Sequence, residues 1–195
     1  MILRSLAEVV EAVGSHRIVG IAGAPGAGKS TIAADLVAAL PSAVLLPMDG
    51  FHLPQVRLIE LGRRDRMGAP DTFDVDGLIA TLEAVKNSGG TVLAPDFDRA
   101  IEEPVPDSIE IRPEFSTVVV EGNYLLHWPE VRHLLDVSLF VDLDHDVRIE
   151  RLVARHIRYG KTPDAARAWS LGPDERNALL VGATARLADH VIRLG

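Results

Sequence analysis

Residues 17 to 31 read RIVGIAGAPGAGKST, a short apolar run that breaks into glycines and then opens a helical pattern. Gly23-Ala24-Pro25-Gly26-Ala27-Gly28-Lys29-Ser30 satisfies the pattern GxxxxGK[ST] without departure. Its setting is the one the pattern requires, with a strand expected over 17–22 and a helix over 29–40 that Pro41 stops. The glycines let successive backbone amides turn inward, and the helix N-terminus adds positive potential to the same concavity. Such a turn binds the phosphates of ATP or a similar nucleotide through Gly23 to Thr31. Lys29 is then placed for the β and γ phosphates and Ser30 for Mg²⁺. A strand feeding a glycine loop and a helix also restricts the fold to an open, mainly parallel α/β sheet.

The rest of the chain agrees with that restriction. Ala43 to Met48 (AVLLPM), Ser116 to Val120 (STVVV) and Val137 to Leu143 (VSLFVDL) are continuous apolar runs, as expected of parallel strands covered on both faces. Helices are expected over 74–88, capped by Asp74 and closed by Gly89-Gly90, and from Asp144 to near Gly160. A further helical stretch from Pro163 is interrupted at Gly172-Pro173 and resumes to about Ala188. Thr91 to Ala94 reads as a short strand, the proline-rich segment 94–113 as a surface excursion with a hairpin, and 190–194 as a last strand. Residues 1–17 carry apolar side chains at Ile2, Leu3, Leu6, Val9, Val10 and Val13, the spacing of an amphipathic helix.

Composition narrows the function classes. The chain has 195 residues and no cysteine, which excludes disulfides, thiolate metal sites and a cysteine nucleophile. Its 28 acidic against 20 basic residues give a net charge of -8, unfavourable for nucleic acid or an acidic membrane. No stretch reaches the roughly 18 apolar residues of a membrane span, and the start lacks a signal peptide's pattern. The expectation is one cytoplasmic domain over 1–195. Its partners are a small-molecule acceptor and, as an option, a second copy of the chain.

A phosphate loop alone does not separate kinases from switches or motors. The acids at strand ends make the distinction. Ligands gather beyond the carboxyl ends of parallel strands, and Asp49, Glu121 and Asp142 all follow predicted strands there. Asp49 is read as the group that accepts the proton of an attacking hydroxyl. Glu121 is read as the carboxylate near Mg²⁺. Asp142 is the weaker candidate. A nucleotide-dependent ATPase or GTPase switch without a small-molecule acceptor is the alternative, although no guanine-reading signature follows Val120.

Four further strings, Met48-Asp49-Gly50-Phe51-His52, Ala69-Pro70-Asp71-Thr72-Phe73-Asp74, Pro95-Asp96-Phe97-Asp98-Arg99 and Glu121-Gly122-Asn123-Tyr124-Leu125-Leu126, occur in order. With the phosphate loop they resemble the phosphoribulokinase, uridine kinase and pantothenate kinase superfamily. They resemble most the bacterial nucleoside/nucleotide kinase-like proteins named fructose transport system kinases. The resemblance implies a three-layer P-loop NTPase fold with a small helical lid over about 151–175. It also implies ATP and Mg²⁺ as cofactors, Asp49 as catalytic base and Glu121 as the second acidic motif. The acceptor it implies is a sugar such as fructose, a nucleoside or a pantothenate-like compound.

In the lid segment, Arg148, Arg151, Arg155 and Arg158 recur at helical spacing, and Arg155 is the expected phosphate contact beside Arg151 and Arg158. His156 stands where many relatives carry an acid. Asp174 and Asn177 are further site candidates. The acceptor pocket beside Asp49 is expected to draw on Phe51, His52, Asp96, Arg99, Asn123 and Tyr124, a mixture of polar contacts and aromatic walls. Trp128 and Trp169 are read as helix packing, and Arg63, Arg64 and Arg66 as a solvated basic loop.

Overall fold

A computed structural model describes residues 1–193. Six strands form one sheet in the order β1-β8-β7-β2-β6-β3, and all its pairings are parallel. The strands are β1 (Ile2–Leu3), β2 (Ile18–Gly23), β3 (Ala43–Pro47), β6 (Thr117–Gly122), β7 (Val137–Val141) and β8 (His190–Ile192). A separate antiparallel hairpin consists of β4 (Val92–Asp98) and β5 (Glu103–Ile111).

Alternation along the central strands makes three layers. Ile18, Ala22, Val118 and Val120 face α4 (Val75–Asn87) and α5 (Pro129–Leu134), where Leu78, Leu82 and Val131 complete one core. Val19, Ile21 and Val119 face the opposite way, onto Val9 and Val13 of α1 (Leu6–Val13) and Ile32 and Leu36 of α2 (Lys29–Ala39). Every residue of β2, β6 and β7 is buried, which is why these strands read as unbroken apolar runs. The remaining helices are α3 (Gln55–Glu60), α6 (His145–Arg158), α7 (Pro163–Leu171) and α8 (Pro173–Gly182).

Several expectations change. Ile2 and Leu3 belong to an edge strand rather than to the first helix, because they pair with Val191 and Ile192 from the far end of the chain. β3 stops at Pro47, whose missing N–H suits a strand end, and Met48–Phe51 form a 3₁₀ turn that swings Asp49 out beyond the sheet. The hairpin strands outrun the expected Thr91–Ala94, with a register shift between Ala94 and Asp96. Helices α3 and α5, six residues each, are too short to show a helical period in sequence. The last strand is His190–Ile192, and Leu194 lies outside the described residues.

Register places the site. Glu121 stands opposite both Ile21 of β2 and Pro47 of β3, so the carboxyl ends of three neighbouring strands finish level. The loops that leave them, at Gly23, Met48 and Gly122, open onto one edge of the sheet.

Candidate active site

The cradle is local. Gly26 and Gly28 adopt φ of 81° and 95°, left-handed values that β-carbon-bearing residues resist, and these let the loop fold back into α2. Lys29 sits in the first turn of α2 and is 8% exposed. Its Nζ donates to the Ala24 carbonyl at 3.2 Å and to Asn123 Oδ1 at 2.7 Å. Burial lowers its pKa, against the opposing pull of Glu121 and Asp49. Both direct partners of the ammonium are neutral oxygens, an arrangement suited to phosphate oxygens as further partners.

Across the cradle, Glu121 is the penultimate residue of β6 and is 6% exposed. Its Oε1 accepts from Ser30 Oγ at 2.9 Å. Burial pushes the Glu121 carboxyl above the usual carboxylate range, with Lys29 pulling it back. The hydroxyl in the first turn of α2 and the carboxylate at the end of β6 are hard oxygen donors. They suit Mg²⁺, which takes one or two protein oxygens and completes its shell with phosphates and water. Among the described residues no cluster of three His, Cys, Asp or Glu could hold a metal unaided.

Asp49 rides on the 3₁₀ turn, and Arg99 Nη2 from the hairpin donates to its Oδ2 at 2.6 Å. The hairpin approaches this turn so closely that a β-carbon at Gly50 would strike the Pro95 carbonyl. Next along the chain, His52 is half-buried with Nδ1 2.7 Å from the Asp49 backbone carbonyl. Its ring lies 4.0 Å from Phe73 and 4.7 Å from Phe97, centroid to centroid.

Lys29, Ser30, Asp49 and Glu121 open into a single cleft of about 820 Å³. The acceptor side of that cleft carries His52, Arg64, Phe73, Phe97 and Arg99, and α6 to α8 overhang it with Arg155, Tyr159 and Trp169.

The predicted residues divide accordingly. Asp49, His52, Arg99, Asn123 and Arg155 line the cleft together with Pro25, Lys29, Ser30 and Glu121. Arg151 leans over the loop, its Nη1 only 3.3 Å from where a β-carbon on Gly28 would stand. Arg158 and Thr31 are exposed outside the cleft. Arg148, grouped by spacing with the exposed arginines, is instead 5% exposed, paired with Glu175 and bonded to the Pro25 carbonyl at 3.3 Å. It braces the phosphate loop from behind.

Phe51 and Tyr124 do not reach the cleft, being 4% and 0% exposed in the core; the Tyr124 hydroxyl donates to the Gly68 carbonyl at 2.7 Å. Asp96 is exposed, next to the cleft-lining Phe97 on β4, and alternation sends its side chain to the other face. Asp142 pairs with Arg193 at 2.6 Å and does not line the cleft.

Trp128 packs on Tyr124 as expected, whereas Trp169 lines the cleft, with Lys161 Nζ 4.5 Å from its ring centroid. His156 and Asp174 pair at 2.7 Å across the overhang, and Asn177 lies beside them. Arg64, read as part of a solvated loop, lines the cleft and pairs with Glu102 at 2.6 Å, while Arg63 and Arg66 both pair with Asp71. Phe73 and Glu102 also line the cleft, and the sequence reading does not include them. The string APDTFD was the available signal for Phe73, and nothing local marks Glu102.

A parallel sheet with a glycine cradle at its carboxyl edge, a buried lysine and a Ser–Glu oxygen pair beside it defines a P-loop kinase. Residues 18–167 match the family model described as Phosphoribulokinase / Uridine kinase family, and the chain belongs to that family. It is similar to an ATP-dependent kinase-like protein of Aspergillus versicolor, 37% identical over 133 residues that cover 62% of this chain and 77% of the relative. It is similar also to a uridine kinase of Clostridium perfringens, 33% identical over 71% of this chain and 67% of the relative.

Among solved structures, a protein from Silicibacter sp. TM1040 described as a fructose transport system kinase superposes with a TM-score of 0.89. The two are 34% identical, over 97% of this chain and 99% of that one. The chain is a small-molecule kinase. That finding sets aside the reading as a nucleotide switch without an acceptor. No helix among the described residues is long and apolar enough to cross a membrane.

Proposed function

We propose that the chain transfers the γ-phosphoryl group of ATP to a hydroxyl of a small hydroxylated metabolite, a sugar or a nucleoside, in the cytoplasm. The observation that supports this best is the shared cleft: Asp49 opens into the same 820 Å³ space as Lys29, Ser30 and Glu121, room enough for nucleotide phosphates and a small acceptor together. The relatives' descriptions as a uridine kinase and a fructose transport system kinase support both acceptor classes.

In this reading Asp49 aligns the acceptor hydroxyl and takes its proton as the oxygen bonds to phosphorus and the bond to ADP breaks. Lys29 and Arg155 face charge on the phosphoryl oxygens, and the buried setting of Lys29 strengthens that interaction. Ser30 and Glu121 would hold Mg²⁺, which when bound neutralises phosphate charge. The segment of about 151–175 acts as a lid, with Arg151 and Arg155 on its inner side and the His156–Asp174 pair joining α6 to α8. Phe73, Phe97 and Arg99 form the acceptor wall.

The test is acceptor-dependent ADP formation with Mg²⁺-ATP and a panel of sugars, nucleosides, pantothenate and small hydroxy acids. Stimulation by a sugar or nucleoside, lost in Asp49→Asn, is the expected result. ADP release that no acceptor stimulates would overturn the reading.

A further inference from the structure

The phosphate loop is held from behind as well as by the strand that feeds it. Gly26 lies so close to α6 that a β-carbon there would stand 2.9 Å from the Arg148 carbonyl and 3.1 Å from its Cγ. Arg148 itself is 5% exposed, and its guanidinium has partners on two other elements. Nη1 donates to the Pro25 carbonyl at 3.3 Å, and Nη2 donates to the Glu175 carboxylate in the first turn of α8. A solvated arginine face explains neither partner.

Proline has no N–H, so the one backbone polar group of Pro25 is the carbonyl that Arg148 engages. That carbonyl shares a peptide plane with the N–H of Gly26. The Gly26 N–H donates to no backbone carbonyl among the described residues, which leaves it available to a phosphate oxygen. A cation on the oxygen of an amide draws electron density from its nitrogen, and the N–H becomes a stronger donor, as along any chain of hydrogen bonds. Burial of the guanidinium keeps solvent and salt from screening this effect.

We infer that Arg148 is a positioning residue for the nucleotide. Through the Pro25–Gly26 peptide it strengthens the Gly26 amide as a phosphate donor, and Glu175 sets how much of its charge reaches that peptide. The inference rests on the phosphotransfer reading above for the identity of the nucleotide, ATP. Because Glu175 belongs to α8, the grip on the phosphates and the placing of the overhanging helices share one ion pair.

The test uses two substitutions that break this same pair, Arg148→Met and Glu175→Gln, in the full chain. Calorimetric titration with Mg²⁺-ATP separates them. Arg148→Met is expected to raise Kd about 3- to 10-fold, with acceptor KM at saturating ATP unchanged. Glu175→Gln removes an acid that opposes the phosphates, and is expected to leave Kd unchanged or to lower it about 2-fold. A brace that acted by packing alone would weaken both variants. That result, or full ATP affinity in Arg148→Met, overturns the inference.

A second readout needs no nucleotide. The backbone ¹⁵N resonance of Gly26 moves downfield when the carbonyl of its own peptide accepts a hydrogen bond. It is expected to move upfield in Arg148→Met, or in Arg148→Gln should the methionine variant not fold, and not in Glu175→Gln. A Gly26 resonance that stays in place when Arg148 is replaced overturns the inference while leaving phosphotransfer intact. A wild type that binds no Mg²⁺-ATP would instead sink the kinase reading, and the Gly26 resonance alone would then decide the inference.

Discussion

The phosphate end and the acceptor end of the cleft are made of different material. At the phosphate end, Lys29 and Glu121 are buried and hydrogen-bonded to Ala24, Asn123 and Ser30, and all five residues lie within one residue of the end of β2 or β6 or in the first turn of α2. At the acceptor end, Arg64 and Arg99 are 39% and 49% exposed and reach in from a loop and a hairpin to pair with Glu102 and Asp49. The first arrangement is dictated by sheet register, which is costly to alter. The second is appended to the sheet, so its side chains are free to vary with the acceptor without disturbing the cradle.

The contrast is sharpest at Asp49, where the two ends meet. Asp49→Asn is expected to lower kcat about 100- to 10,000-fold, with the affinity for Mg²⁺-ATP unchanged in a direct titration. A loss of ATP affinity would place Asp49 with the phosphates instead.

Next in size, Lys29→Ala is expected to weaken both binding and turnover, with kcat down about 100- to 1,000-fold. Unchanged affinity by calorimetry would count against the cradle.

Arg99→Gln should act only on the acceptor end, raising acceptor KM about 10-fold. An equal rise in KM for ATP would erase the division between the two ends.

The smallest effect is thermodynamic. Because burial holds the Glu121 carboxyl above its ordinary range, ionising it costs folding stability at neutral pH and nothing at low pH, where folded and unfolded chains are both protonated. Glu121→Gln, which keeps an acceptor for Ser30, is expected to raise the urea midpoint of the nucleotide-free protein at pH 8. Part of that gain is offset because Lys29 loses an opposing charge. The two midpoints should converge as pH falls to about 4. A variant that is less stable than wild type at pH 8 would mean the Lys29 attraction outweighs desolvation.

The same division explains what could be read from sequence. The cradle was legible because its strand, glycines, lysine and helix are contiguous, and Asp49 and Glu121 were legible because each directly follows an apolar run. Beyond one or two residues past a strand, direction is lost. Tyr124 turns into the core and Asn123 into the cleft, and neither composition nor spacing distinguishes them. Phe97 and Asp96 are separated only by the parity of β4, which depends on how the hairpin packs against Gly50. Arg64, Trp169 and Lys161 come to the cleft by way of tertiary packing, and no local pattern marks them. Ile2 and Leu3 misled because a two-residue strand has no period, and its partner is almost the whole chain away.

That last pairing belongs to a wider pattern. β2, which feeds the cradle, is bordered by β6 and β7, and neither neighbour adjoins it in sequence. Each pairing that sets the height of the phosphate loop therefore closes a long stretch of chain, and loop-closure entropy delays such contacts until late in folding. A partly folded chain has the glycines and Lys29 but no level edge against which to hold them. During refolding, capture of a fluorescent nucleotide analogue should thus lag behind helix formation and appear with the final closure of the sheet, making the ligand a clock for the completed fold.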